Sequence, residues 1–347
     1  MKTIDINKLQ RINIKTLQPY SSARIEYSGR DGIFLDANEN PNNGPYNRYP
    51  DPLQRRVKNK IAEIKGIKPD NMFLGNGSDE AIDLLIRAFC QPGVDNILSI
   101  EPSYGMYKVC ADINDVEFNK VLLTDEFQLD VDAMLEMMNR NTKLVFLCSP
   151  NNPTSNSFKE DDIRKIIEKF EGLVVLDEAY VDFSNQQGFL HKLDEYQNLV
   201  ILQTFSKAWG LAGIRLGMCF ADSRIISAMN KIKYPYNVNQ LTLAIALDAL
   251  HLKEKVKDKW IEEILKERER ISKELLKFPD VLKIFPSDAN FLLVRFKNPG
   301  KLYAYLISKR IIVRDRSKAS LCEGCLRITI GTKAENDMLL KAMEEFS

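Results

Sequence analysis

The sequence has few histidines, tryptophans and cysteines and almost no net charge. These features bear on which classes of protein it can belong to. It contains two histidines, two tryptophans and six cysteines in 347 residues, and its formal net charge is +1. Such balanced charge gives no electrostatic footprint for nucleic acid and no polybasic surface for a membrane. No run comes near the roughly 18 apolar residues that a membrane span requires. The sequence therefore predicts neither a nucleic-acid partner nor a membrane partner.

The beginning of the chain and its cysteines give two further exclusions. Residues 1–6 read MKTIDI and lack the apolar stretch of a signal peptide. Cys322 and Cys325 are the one pair with the spacing of redox or metal sites, and a zinc site would require a second pair. We therefore predict no metal. The other cysteines stand in or beside apolar segments as small hydrophobes, so we expect a reducing, cytoplasmic location.

The chain contains many short apolar runs, and segments with helical apolar spacing separate them. Because these runs are apolar nearly throughout, they predict an α/β fold with a mostly parallel sheet covered on both faces. Its length allows two domains. We predict an N-terminal arm over residues 1–30 that packs with the small domain, a large domain over 31–250, and a small α+β domain over 251–347. Strands are predicted at 33–35, 96–100, 143–150, 173–177, 198–203, 216–221, 290–296, 311–314 and 326–330.

A lysine follows the predicted strand at 198–203 directly, in the segment TFSKAWG. Lys207 therefore stands at a strand end, which is where open α/β sheets bind ligands. A lysine that loses water there has a lowered pKa and can attack a carbonyl group. Ser206 and Arg215 offer a hydroxyl and a cation for a phosphate. This segment alone leaves open the alternative that Lys207 is a solvated charge at a surface turn.

Other polar and aromatic residues also stand beside predicted strands and helices. Gly77, Ser78 and Asp79 lead into a helical pattern, where backbone N–H groups can bind an anion. We expect Ser78 or Asp79 to cap that helix, and an ordinary capped helix is the alternative. Tyr104 follows a strand and can stack on a planar ligand, or can be merely half-buried. Asp177 ends an apolar run, where a buried carboxylate requires a cationic partner.

Four residues suggest what such a ligand would be. A protonated ring nitrogen would serve Asp177 as a partner, and Tyr180 could bond a phenolic oxygen on the same ring. Arg314 and Arg327 stand in predicted strands close to glycine turns. Arginines in such places bind carboxylate or phosphate with two parallel hydrogen bonds, although two structural salt bridges are the alternative for each.

One cofactor chemistry accounts for this set of residues. Pyridoxal phosphate requires a lysine for its aldehyde, an anion for its ring nitrogen, a stacking aromatic and several phosphate donors. The chain resembles the fold-type I pyridoxal-phosphate-dependent aminotransferases nearly throughout, and the motifs occur in the family's order. That resemblance implies a mostly parallel, seven-stranded sheet between helices and a small α+β C-terminal domain. The matching motifs are Gly77-Ser78-Asp79, Tyr104, Asn152-Pro153-Thr154, Asp177-Glu178-Ala179-Tyr180, Ser206-Lys207 and Arg215.

Within that family the sequence is similar to the histidinol-phosphate aminotransferases. The shared segments are DANENP at 36–41, NRYPDP at 47–52, PYNVN at 235–239, and Arg314 followed after thirteen residues by the arginine of LRITIG. One departure is Ser155, because the family usually has glycine after Asn-Pro-Thr. Since that glycine shapes a turn, we expect the serine to alter the local backbone without loss of a catalytic side chain.

The resemblance implies a role for each residue near the cofactor ring. Lys207 would be the Schiff-base lysine and the acid/base that moves the proton. Asp177 would keep the ring nitrogen protonated, while Asn152 and Tyr180 would hydrogen-bond the ring oxygen. Tyr104 would stack on the ring.

The resemblance also implies how the two anionic ends are held. The cofactor phosphate would contact Gly77, Ser78, Asp79, Ser206 and Arg215. Tyr49 of the neighbouring subunit would reach the same phosphate, so a homodimer is expected. The substrate would be bound by Tyr20, Asn38, Arg314 and Arg327.

The activity implied is transfer of an amino group between L-histidinol phosphate and 2-oxoglutarate, which yields imidazole acetol phosphate and L-glutamate in histidine biosynthesis. Two alternatives on the same scaffold are an aromatic-amino-acid aminotransferase and a phospho-amino-acid decarboxylase. They would share the cofactor residues and differ near Tyr20, Asn38 and Arg314. A non-catalytic regulator is a third alternative, but the basic DNA-binding segment expected of one is absent from the sequence.

Overall fold

The computed structural model describes residues 4–27, 32–252 and 254–346. Short 3₁₀ turns occur at Pro69–Asn71, Val181–Phe183, Phe189–Lys192 and Ala212–Ile214. The helices are α1 (Ile6–Leu9), α2 (Ile12–Lys15), α3 (Ala23–Glu26), α4 (Arg55–Lys65), α5 (Gly77–Phe89), α6 (Met106–Ile113), α7 (Val131–Met137), α8 (Glu160–Lys169), α9 (Ser223–Ile232), α10 (Gln240–Leu252), α11 (Glu254–Leu275), α12 (Pro299–Ser308) and α13 (Lys333–Phe346). The strands are β1 (Met72–Asn76), β2 (Asn96–Glu101), β3 (Glu117–Leu122), β4 (Thr142–Cys148), β5 (Leu173–Asp177), β6 (Leu199–Thr204), β7 (Leu216–Ala221), β8 (Val281–Ile284), β9 (Phe291–Phe296), β10 (Arg314–Asp315) and β11 (Cys325–Thr329).

The large sheet has seven strands in the order β1-β7-β6-β5-β4-β2-β3. Strands β2 to β6 run parallel, whereas β7 is antiparallel to both of its neighbours, β1 and β6. The carboxyl ends of β1, β2, β4, β5 and β6 therefore meet at one edge, and β7 begins there. This architecture confirms the predicted mostly parallel sheet between helices.

Two apolar cores cover the faces of this sheet, which explains why its central strands are apolar throughout. In β5, Val174 and Leu176 belong to one core and Val175 to the other. Helices α4, α7, α8 and α10 supply residues to the first core, and α5, α6 and α9 to the second. Strand residues that alternate between two buried faces require no polar positions.

A second sheet of four antiparallel strands, in the order β10-β11-β9-β8, forms the C-terminal part. Its own core contains Leu326 and Ile328 of β11 and Ile271 and Leu275 of α11. Helix α10 packs on α4 of the large unit, whereas α11 packs on α13. These contacts support a domain boundary near residue 250, which stays a prediction.

The N-terminal arm packs on the large unit, and our expectation that it packs with the small domain is wrong for its described residues. Ile6 is fully buried in the core shared by α5 and α9, and Ile14 is also buried. The backbone N–H of Arg11 donates to the Ala88 carbonyl at 3.0 Å. These two isoleucines, spaced within a polar stretch, anchor the arm to the large sheet's helices.

Two strand predictions also require correction. Residues 33–35 form no strand, and Ile33 and Leu35 are 91% and 87% exposed. The predicted strand at 311–314 is reduced to Arg314–Asp315, because only these residues pair with β11. Both segments have apolar side chains but, among the described residues, lack a neighbouring strand along their length.

All six cysteines are free and buried. Cys322 and Cys325 are completely buried and belong to the core beneath the large sheet.

Among the described residues, no group of three or more potential ligands could hold a metal ion. Within the same residues, every helix is too short or too polar to cross a bilayer.

Candidate active site

A cavity of about 130 Å³ opens at the sheet edge where the carboxyl ends of the strands meet. Cys148, Ala179 and Thr204, which our sequence analysis did not select, contribute to its wall. Cys148 ends β4 directly opposite Asp177 of β5, so strand-end position was the signal that could have found it. The sequence-predicted residues that line the cavity are Gly77, Ser78, Asp79, Tyr104, Asn152, Asp177, Tyr180, Ser206, Lys207 and Arg215.

Lys207 lies in the turn that follows β6. The turn is shaped by Thr204, whose hydroxyl oxygen accepts the Ser206 backbone N–H at 3.0 Å. The Lys207 Nζ atom lies 5.4 Å from the centroid of the Tyr180 ring. Burial lowers the pKa of Lys207, and the charge of Arg327 lowers it further. Both effects make loss of the proton easier than for a solvated lysine, and the neutral amine is the nucleophilic and proton-accepting form.

Asp177 ends β5 as a buried carboxylate, 3% exposed. Its Oδ2 accepts the Tyr107 hydroxyl at 2.8 Å, and its Oδ1 accepts the Ala179 backbone N–H at 3.1 Å. Both donors are neutral, and none of the described residues forms an ion pair with it. Burial raises the pKa of Asp177 to about 6. A cation brought into the cavity would restore full ionisation of this carboxyl.

The glycine turn before α5 is the place where the sequence predicts an anion site. Gly77 has a φ of +74°, and no side chain caps the helix at its N-cap residue Asn76. Ser78 and Asp79 lie within the first turn, so our expectation that one of them caps the helix is wrong. The backbone of Arg215 is in the left-handed region, with a φ of 55°. Its Nη2 atom lies 3.5 Å from Asp79 Oδ2. A Cβ at Gly77 would lie 2.8 Å from that flexible guanidinium nitrogen, but the positive φ is what favours glycine here.

Two tyrosines link this anion site to Asp177. The Tyr104 hydroxyl donates to Asp79 Oδ1 at 3.0 Å. Its ring meets that of Tyr107 edge-on, with centroids 5.6 Å apart. Tyr107 is fully buried and bonds to Asp177, a role that our sequence analysis missed. It stands in the first turn of α6, close in sequence to the strand-end residue Tyr104, and that closeness was the available signal.

Arg327 connects the small sheet to the cavity. Its Nη1 donates to Asn152 Oδ1 at 2.5 Å, and its guanidinium lies 5.3 Å from the centroid of the Phe291 ring. Arg314 is the Cα partner of Arg327 in the β10–β11 ladder. The two predicted substrate arginines are therefore neighbours.

Five predicted residues do not line the cavity of their own chain: Arg314, Arg327, Tyr20, Asn38 and Tyr49. Of these, Arg327 is joined to the cavity wall through Asn152. Tyr20 is 70% exposed, Tyr49 is 51% exposed, and Asn38 is also exposed. Tyr49 is nevertheless fixed, because its ring stacks on Tyr236 at 4.5 Å and its backbone N–H donates to Glu39 Oε1 at 2.6 Å. Its hydroxyl is held in place on a surface rather than in a pocket.

Ser155 stands in the left-handed region that favours glycine, with a φ of 66°. It is completely buried, and its backbone N–H donates to the Asn151 carbonyl at 2.8 Å, which closes the turn. Its hydroxyl lies 3.1 Å from the carbonyl oxygen of Pro286, in the connection between β8 and β9. The serine side chain thus bridges a large-sheet loop and a small-sheet loop.

Comparison with known proteins agrees with this geometry. Residues 33–343 match the family described as aminotransferase class I and II. The chain is 55% identical to the histidinol-phosphate aminotransferase of Bacteroides fragilis strain YCH46, over 100% of both chains. The solved histidinol-phosphate aminotransferase from Clostridium acetobutylicum has a TM-score of 0.78 at 26% identity and covers 87% of this chain and 91% of its own.

A further solved relative is the histidinol-phosphate aminotransferase of Sinorhizobium meliloti in complex with pyridoxal-5'-phosphate. Its TM-score is 0.79 at 23% identity, over 86% of this chain and 84% of that one. Three findings agree on the family of this chain. They are the similarity of fold, the family match over most of the sequence, and the full-length relative at 55% identity. This chain belongs to the class I and II aminotransferase family.

Proposed function

We propose that this chain transfers an amino group between L-histidinol phosphate and 2-oxoglutarate in histidine biosynthesis, with pyridoxal phosphate as its cofactor. The observation that carries the proposal is the convergence of Lys207, Asp177 and Arg215 on one cavity. The full-length identity of 55% to a histidinol-phosphate aminotransferase supports the choice of substrate.

The residues of the cavity fit this cofactor. Bound there, pyridoxal phosphate supplies an aldehyde that captures an amine and a cationic ring that withdraws electrons. Asp177 is a buried carboxylate without a cationic partner among the described residues, which suits a protonated ring nitrogen. The Gly77 turn and Arg215 suit a phosphate, and Lys207 lines the same cavity.

The side chains then divide the chemistry among them. The Lys207 Nζ, whose pKa is lowered, takes the proton from the substrate Cα and later returns one. Asp177 holds a proton on the ring nitrogen, and Asn152 and Tyr180 hydrogen-bond the ring oxygen. Arg327 orients the anionic end of the substrate. Because the amino donor and the 2-oxo acid occupy the same cavity, they bind in turn.

The substrate is tested by single-turnover reactions of the holoenzyme with L-histidinol phosphate, L-phenylalanine and L-threonine phosphate. We expect L-histidinol phosphate to convert the cofactor to its aminated form at least roughly 100-fold faster than phenylalanine, since a phosphate dianion offers Arg314 and Arg327 more charge than the single carboxylate of phenylalanine does. The conversion is followed by the cofactor's absorbance. Faster reaction with phenylalanine would indicate an aromatic-amino-acid aminotransferase, and release of carbon dioxide from threonine phosphate would indicate a decarboxylase.

We further propose that the active form is a homodimer in which Tyr49 reaches the cofactor phosphate of the neighbouring subunit. Tyr49 is absent from its own chain's cavity, yet both sides of its backbone are clamped. Glu39 accepts its N–H, and Arg24 Nη1 donates to its carbonyl at 2.8 Å. Burial opposes the charge of Glu39, but bonds from Arg24, Tyr49 and Arg48 lower its pKa to about 2. An exposed tyrosine held this firmly fits a contact with a second chain.

Replacing Tyr49 with phenylalanine is expected to weaken cofactor retention roughly tenfold, because a hydrogen bond to a charged phosphate is lost. Retention is measured by dialysis followed by absorbance, with the oligomeric state determined by light scattering. Tyr46→Phe is the matched control, since Tyr46 is 64% exposed on the same loop. A fully active monomer, or equal losses in both variants, would contradict the proposal.

We also infer a cytoplasmic location. All six cysteines are free, which suits a compartment that keeps thiols reduced.

A further inference from the structure

The β10–β11 ribbon carries a third arginine beside the two that the sequence singled out. Arg314 is paired with Arg327, and the backbone N–H of Arg316 donates to the Cys325 carbonyl at 2.9 Å, two residues further along. Paired residues share a face of a ribbon, as do residues two apart. Arg314, Arg316 and Arg327 therefore lie on one face. That face is turned toward the large sheet, because Cys325 belongs to the large core and Leu326 to the small one.

No carboxylate neutralises these three guanidinium groups among the described residues. Asp315, the acid between Arg314 and Arg316, lies on the opposite face by strand alternation, and its Oδ1 accepts the Ser317 backbone N–H at 2.8 Å. Arg327 donates to the neutral amide of Asn152. The Nε of Arg316 is buried without a hydrogen-bond partner. Arg316 and Arg327 are half-buried and Arg314 is exposed, so three cations that form no ion pair with a described residue stand together where a ligand can reach them. This arrangement is suited to an anionic ligand.

The three charges are close enough to act on one another. Burial lowers the pKa of Arg316, and the charges of Arg327 and Arg314 lower it further. An arginine remains protonated even when its pKa is lowered in this way. The repulsion between the three guanidinium groups therefore persists in the ligand-free protein. A ligand with more than one negative charge relieves more of that repulsion than a single carboxylate does.

Arg316 also lies beside the active-site cavity. It lines a second cavity of about 190 Å³ together with Pro102, Ser103, Tyr104 and Pro153. Tyr104 lines both cavities, so they adjoin at its ring. The carboxylate of Glu101 at this wall pairs with Lys120 and accepts the Ser320 hydroxyl, and therefore does not oppose an anion.

We propose that Arg316 is a specificity-determining residue that completes, with Arg314 and Arg327, a three-arginine site for the phosphate monoester of the amine substrate. The inference rests on the proposed function, whose substrate carries such a group. A phosphate dianion offers three oxygens to the guanidinium groups, whereas a carboxylate offers two oxygens and one charge. Arg316 thus favours the phosphorylated substrate over glutamate, which uses the same cavity in the other half-reaction.

The test compares Arg316→Gln holoenzyme with the wild type in the two half-reactions. We expect kcat/KM for L-histidinol phosphate to fall roughly 10- to 100-fold, mainly through KM, because a charge-assisted contact is lost. For L-glutamate we expect a fall of less than about threefold, the size of a screened charge effect. Arg316→Lys keeps the charge but lacks the planar guanidinium that donates two parallel hydrogen bonds. It should give an intermediate loss of kcat/KM for L-histidinol phosphate. Lys318→Gln removes the same charge from the same exposed segment and should change neither value.

A second measurement separates this inference from the proposed function. Glycerol 2-phosphate, a phosphate monoester without an amine, is used as a competitive inhibitor against whichever amine the wild type accepts. A roughly tenfold higher inhibition constant in Arg316→Gln, and an unchanged one in Lys318→Gln, supports the three-arginine site. An inhibition constant unchanged in Arg316→Gln, or equal losses for both substrates, overturns it. A wild type that ignores L-histidinol phosphate overturns the proposed function instead.

Discussion

Lys207→Ala is expected to lower the rate of transamination by at least roughly 10⁴-fold, because one side chain both bonds the cofactor and moves the substrate proton. Lys207 suits both tasks: its Nζ is next to Tyr180, and burial together with Arg327 lowers its pKa. The measurement is steady-state turnover of L-histidinol phosphate with 2-oxoglutarate.

Lys207→Arg is the matched control for charge. It keeps a cation in the cavity but cannot be deprotonated, so it should be as inactive as the alanine variant. Both variants should lose the visible absorbance of the lysine-bound cofactor while they retain the fold by circular dichroism. Full turnover by Lys207→Ala would show that another group carries the chemistry.

Asp177→Asn is expected to lower turnover roughly 10²- to 10³-fold, since a neutral amide cannot hold a proton on the ring nitrogen. The amide has nearly the same shape as the carboxyl and can keep the bond with the Tyr107 hydroxyl, which is both a donor and an acceptor. Loss of activity without loss of structure is therefore the expected result. Turnover equal to that of the wild type would remove Asp177 from the mechanism.

The same substitution is expected to act in the opposite direction on the cofactor-free protein. Burial raises the pKa of Asp177 from 3.8 to about 6. Its contribution to stability is therefore fully present below about pH 4 and is lost as the pH rises through about 6. At pH 8 the cofactor-free Asp177→Asn variant should be more stable than the cofactor-free wild type by about 1–2 kcal/mol, and at pH 4 that advantage should disappear.

Urea unfolding of both cofactor-free proteins at the two pH values measures this difference. Added pyridoxal phosphate should reverse the order at pH 8, because the ring cation pairs with the carboxylate and not with the amide. A variant that is less stable than the wild type at every pH would show that Asp177 is ionised without penalty in the empty cavity.

The cofactor end of the site was predictable because its residues follow strands that are apolar on both faces. Asp177 and Lys207 come directly after β5 and β6, whose runs are visible in the sequence. Parallel strands bring such ends to one edge. The direction of β7 was not predictable in the same way, since its apolar run fits either orientation.

The parts that escaped prediction depend on single side chains or on a neighbouring element. Ile6 anchors the arm from within a polar stretch, and no periodic pattern announces it. Arg316 resembles any charged residue of an exposed loop until the ladder places it beside Arg314 and Arg327. Strand β3 has mixed burial at the edge of the sheet, so its pattern is weak.

The connection between the antiparallel strands β6 and β7 contains both Lys207 and Arg215, for which two different chemical roles are predicted. Thr204 at the end of β6 is the register partner of Gly217 near the start of β7, and both Lys207 and Arg215 lie between them. A Cβ at Gly217 would lie 2.2 Å from the Ser78 nitrogen, so the α5 turn rests directly on the same strand. Arg215 follows Lys207 by eight residues, and the chain between them is anchored at both sides by this strand pair. An insertion between 207 and 215 would therefore move the predicted Schiff-base lysine relative to the predicted phosphate-binding arginine.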